Sequence, residues 1–91
     1  MITEQNICEM AERIRSILPS GATLVSFDRN EQFFGNLALK ITLDRVTHTF
    51  VTDRGEIYHN GKLLCDSSYH KAGNDDTFLK LLQLIKRELN R

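Results

Sequence analysis

"VTDRGEIYHNGKLLC", residues 51–65, decides how the middle of this chain folds, because its two glycine-bearing turns set which side chains face inward. Asn60-Gly61 is the favoured pair for a two-residue type I′ turn, in which both residues need positive φ. That turn pairs His59 with Lys62 across it. Asp53-Arg54-Gly55 reads as a three-residue hairpin loop with the glycine in the left-handed position. This reading pairs Thr52 with Glu56, while the Asn60-Gly61 turn sets Ile57 opposite Leu64. Most of the polar residues in the stretch are then turn chemistry around one short strand.

Upstream the period is also two. Phe33, Leu37, Leu39, Ile41 and Leu43 alternate with Phe34, Asn36, Ala38, Lys40 and Thr42, the pattern of a half-buried strand. Residues 22–28 and 46–52, rich in Val, Thr, Phe and Leu, read as its neighbours. The links are short, so an antiparallel meander is expected. If Asp44-Arg45 is a two-residue turn, Leu43 and Val46 share the core side with His48, Phe50, Thr52, Tyr58, Leu63 and Cys65. The opposite face then carries Phe34, Ala38, Val51, Ile57 and Leu64 among Thr47, Thr49, His59 and Lys62. A slip of one residue at any turn exchanges these sets.

Both flanks are helical in period. Over residues 4–18, Ile7, Met10, Ala11, Ile14, Ile17 and Leu18 recur at i, i+3, i+4, i+7. Thr3 suits the N-cap, and Pro19-Ser20-Gly21 ends the helix. A second helix is expected to begin near Asn74-Asp75-Asp76 and to bury Phe78, Leu81, Leu82, Ile85 and Leu89. Lys86, Arg87 and Arg91 complement its negative end, while Leu79 and Leu84 widen its apolar arc outward. The expected fold class is α+β: an N-terminal helix, an antiparallel meander of four or five strands, and a C-terminal helix. Both helices are expected on one face of the sheet, in a single compact domain of residues 1–91.

The 91 residues are 41% apolar, enough for one core. Twelve Lys and Arg balance twelve Asp and Glu, which argues against a charge-driven nucleic-acid or membrane binder and leaves self-association open. Cys8 and Cys65 do not make a disulfide framework. Glu4, Glu9 and Glu12 interrupt the start of the chain, so no secretory leader is expected, and no run approaches a membrane span. A soluble, cytoplasmic protein is the expectation.

Candidate chemistry is sparse. His59, Cys65, Asp66 and His70 have neither C-x-x-C nor H-x3-H spacing, and the parity above sends His59 and Cys65 to opposite faces. No metal and no cofactor are therefore expected. Ser67 or Ser68 with His70 and Asp66 lie too close together in one loop for a nucleophilic relay. Gly35, Gly55, Gly61 and Gly73 are scattered and form no phosphate loop. His48 is the histidine expected on the core side, between Val46 and Phe50 and within reach of Tyr58. A small enzyme site around His48 and Tyr58 is one alternative function.

The order helix, antiparallel strands, helix resembles that of a double-stranded-RNA-binding domain, which would imply nucleic-acid binding. That family begins its last helix with lysines, whereas Asn74-Asp75-Asp76 is acidic here. The favoured expectation is a non-enzymatic protein-interaction module that binds another protein or itself through an open sheet face. Phe34, Val51, Ile57 and Leu64 would make the contact, with His59 and Lys62 at its rim.

Overall fold

The computed structural model describes residues 4–30, 36–66 and 77–90. Thr3, Phe33, Phe34, Gly35, Ser67, Ser68, His70, Gly73, the 74–76 cap and Arg91 lie outside the described residues. In chain order the elements are helix α1 (Glu4–Ile17), strands β1 (Thr23–Asn30), β2 (Asn36–Leu43), β3 (Val46–Asp53), β4 (Glu56–His59) and β5 (Lys62–Cys65), and helix α2 (Thr77–Leu89). The strands form one antiparallel sheet in sequence order, so the chain is an α+β meander with a helix at each end.

Three consecutive two-residue turns build the β2–β5 part of the meander. Asp44 and Arg45 (φ 53° and 68°), Arg54 and Gly55 (51° and 90°), and Asn60 and Gly61 (51° and 85°) all occupy the left-handed region. This is the type I′ geometry, whose twist matches that of the strands it joins. The expected pairs Leu43 with Val46 and His59 with Lys62 follow from the first and third turns.

The middle turn differs from the three-residue reading. Asp53 is itself in β3 and pairs with Glu56, so Thr52 lies opposite Ile57, not Glu56. Two interactions favour the tighter turn. Asn36 Nδ2 donates to Asp53 Oδ1 at 3.3 Å, while the Arg54 N–H donates to Asn36 Oδ1 at 3.1 Å, which clamps the turn to β2. The shift also exchanges faces, because side-chain parity has a period of two. Ile57 and His59 move to the core side, and Tyr58 moves to the other. On β5, Ile57 pairs with Cys65 and Tyr58 with Leu63, so Leu64 is an extra residue in a bulge and packs on the core. A second bulge interrupts β1, where Val25 is the extra residue between the pairs Leu24–Ile41 and Ser26–Lys40.

One buried cluster joins the sheet to both helices. Leu37, Leu39, Ile41, Phe50 and Ile57 from the sheet meet Ile14 of α1 and Leu81, Leu82, Leu84, Ile85 and Leu89 of α2. Leu84, read from the sequence as part of an outward arc, belongs to this core. Leu79 is exposed. The Arg13 guanidinium lies 5.5 Å from the centre of the Phe78 ring, a cation–π contact between the helices. Thr52 is the buried polar residue of the core, and its Oγ1 accepts the Leu37 N–H at 2.8 Å. It thus supplies the acceptor just beyond the Ala38–Val51 pair, where the regular β2–β3 register ends.

Thr52→Val would leave that N–H buried without its acceptor and should cost about 1–3 kcal/mol. Thr52→Ser should retain most of the stability. Denaturant titration of the two variants makes the comparison, and equal losses would show that the hydroxyl is not what matters. Ile57→Asp, tolerable at an exposed site, should unfold the chain because it buries a charge in the core, an outcome read from the helical circular dichroism.

Candidate functional site

The face opposite the buried cluster, here called the outer face, is built by the alternate residues of each strand. Its registers align Ala38 with Val51, Val51 with Tyr58, and Tyr58 with Leu63, one row of apolar and aromatic side chains across four strands. Ala38 is exposed, Val51 and Tyr58 are half-buried, and Leu63 is 45% exposed. Asp28, the β1 partner of Ala38, ends the row. Lys40 and Thr49 form the neighbouring row on one side, and Asp53 and Glu56 the one on the other.

Tyr58 is fixed within this surface. Its hydroxyl donates to Glu56 Oε1 at 3.1 Å. That bond is the main reason its phenol is held above the ordinary value of 10.0. Desolvation and the negative charges of Glu56 and Asp53 push in the same direction. Asn60 braces the far end of the surface: the Thr49 N–H donates to its Oδ1 and its own N–H donates to the Thr49 carbonyl, both at 2.8 Å.

A second polar group lies on the core side. Phe50 and His59 are cross-strand partners whose rings stack at 4.5 Å and 7°. His48, two residues before Phe50, places Nδ1 2.8 Å from His59 Nε2, with the rings 5.1 Å apart. The other nitrogen of His59, Nδ1, is 3.5 Å from Glu88 Oε1. Glu88 stands seven residues after Leu81 and three after Ile85, on the stripe that α2 turns inward, and its side chain is only 9% exposed. Arg87 Nε reaches Glu88 Oε2 at 3.1 Å. The result is a continuous imidazole–imidazole–carboxylate chain linking β3, β4 and α2.

The structure separates the residues that the sequence grouped as one contact surface. Val51 lies on the outer face. Ile57 is fully buried, His59 belongs to the imidazole chain, and Leu64 packs on the core, so none of these three lies on the outer face. Lys62 is exposed on the edge strand opposite His59. His48 meets His59 rather than Tyr58, whose side chain is on the other face. Tyr58, Leu63 and Glu88 were missed for the roles they hold here. A glutamate at a stripe position of an amphipathic helix was the available signal for Glu88.

Among the described residues no three His, Cys, Asp or Glu side chains converge as metal ligands. Cys8 and Cys65 are free thiols, and no described helix is long and apolar enough to cross a membrane. The class defined is a five-stranded antiparallel meander between two helices. Comparison with protein-family models, with curated proteins and with solved structures finds no match.

The Tyr58 contact is directly testable. Glu56→Gln removes both the charged acceptor and the repulsion, so the Tyr58 phenol should ionise at lower pH than in the parent chain. Difference absorbance near 295 nm follows the ionisation, with Tyr58→Phe identifying its share. An unchanged midpoint would mean that Glu56 does not hold the hydroxyl.

Proposed function

We propose that this chain is a non-enzymatic protein-interaction module that pairs with a second copy of itself through the outer face of the meander. The observation that carries this reading is the Ala38–Val51–Tyr58–Leu63 row, an apolar band lying across the sheet with no strand or helix residue of the buried cluster above it. A contiguous apolar band framed by polar residues is the usual anatomy of an association surface, and tyrosine is enriched in such surfaces. The frame carries both signs, with Lys40 on one side and Asp53 and Glu56 on the other. A twofold axis through the band would set the lysine of one copy toward the acids of its partner. The balance of twelve basic and twelve acidic residues adds no net repulsion between copies. A reducing, cytoplasmic setting suits Cys8 and Cys65 as free thiols.

Leu63→Asp tests the proposal without touching the core, since Leu63 is exposed on an edge strand. The parent chain should elute as a dimer across a range of concentrations when light scattering follows the sizing column. The variant should weaken the dimer by about 2 kcal/mol or more, the scale of a central contact residue, with unchanged helical circular dichroism. A parent chain that remains monomeric at every concentration would sink self-pairing.

A further inference from the structure

We infer that His48, His59 and Glu88 form a latch that holds α2 on the sheet with at most one added proton and releases it when a second proton enters. The three side chains come from positions far apart in the chain and from three elements, β3, β4 and α2. Glu88 needs such a partner. It is a largely buried carboxylate in the last turn of α2, where the partial negative charge of the helix end disfavours an anion.

Hydrogen-bond accounting determines how the chain is wired. The Glu88 carboxylate can only accept, so the His59 Nδ1 facing it carries the hydrogen. In neutral His59 the Nε2 is then a lone pair, and the His48 Nδ1–H donates to it across 2.8 Å. A first added proton goes to His48 Nε2, or to His59 by transfer of the shared hydrogen toward it. Either choice keeps both contacts. A second proton places hydrogens on both facing nitrogens, 2.8 Å apart. The imidazole–imidazole bond then has no acceptor, and two cations stand in rings 5.1 Å apart.

Two charges placed beside the pair by the described residues act in the same sense. Arg87 approaches from α2 through Glu88, and Lys62 is the β5 neighbour of His59. Both are cations that oppose a second proton. Ile41, the β2 neighbour of His48, brings no charge. The Glu88 carboxylate favours the first proton and is shared with Arg87, so it balances one cation and not two.

The latched state therefore binds one proton where the unfolded pair binds two. Acidification through the ordinary histidine range, near about 6.5, favours the state that binds more protons. Stability gained from the latch is present above that range and is lost as pH falls through it. One extra proton corresponds to about a tenfold rise in the unfolding equilibrium constant per pH unit.

The deciding experiment compares denaturant unfolding of the parent chain and of His48→Gln between about pH 7 and pH 5, above the range in which most carboxylates titrate. The parent chain should show roughly the tenfold slope per unit below about pH 6. His48→Gln leaves one imidazole facing Glu88 and should lose that slope, while the contribution of His70 is common to both and cancels. Equal slopes would overturn the latch. Long-range proton–nitrogen NMR of the parent chain gives a second reading that does not depend on a variant folding. It should find the hydrogen on Nδ1 of both His48 and His59 near neutral pH, and an Nε2–H tautomer of His59 would overturn the wiring.

Discussion

A hairpin turn of only two residues allows no freedom in strand parity, and the Arg54-Gly55 turn passes that constraint to everything after it. Both of its residues hold positive φ, Asp53 and Glu56 pair directly, and Ile57 must then stand beside Thr52 on the core side. With Ile57 inside, His59 lies against Phe50 and within bonding distance of His48. The same constraint turns Tyr58 and Leu63 outward and completes the row across the outer face. One more residue in the turn would expel an isoleucine from the core and bring Glu56 inward. The Asn36 clamp on Asp53 and Arg54 is therefore a small interaction with a large structural consequence.

The core that results is unevenly polar. Ile14 of α1 and Leu37, Leu39 and Ile41 of β2 make its aliphatic part, stabilised by burial of apolar surface. Its polar members are Thr52, bonded to β2, and, where the end of α2 meets β3 and β4, two imidazoles and a carboxylate, each with a partner on another element. Such groups contribute little net stability, yet leaving any one unpaired is costly. Their effect is to make the docking of α2 specific, because a helix rotated by one residue would carry Glu88 away from His59.

Much of this architecture was legible in the sequence. The helical stripes, the alternation in residues 36–43 and the turn at Asn60-Gly61 follow from residue types with one strong preference, whereas the two-residue turn at Asp44-Arg45 entered only as a condition on the strand faces. The Arg54 turn was not legible by the same rule. Asp-Arg-Gly suits both a two- and a three-residue loop, and the side chain that decides between them, Asn36, lies seventeen positions from Asp53. Glu88 was hidden for a related reason. A charge on an apolar stripe is understood only when its partner on another element is known, and here that partner is His59.

The two bulges have a consequence of their own. A flat outer strand exposes a ladder of unpaired amides that can recruit further strands, which is the route to fibrillar assembly. In this sheet Val25 interrupts one margin and Leu64 the other, so each border is twisted out of the regular pattern. The β5 margin is also only four residues long and begins with a lysine. Growth by strand addition is disfavoured at both borders.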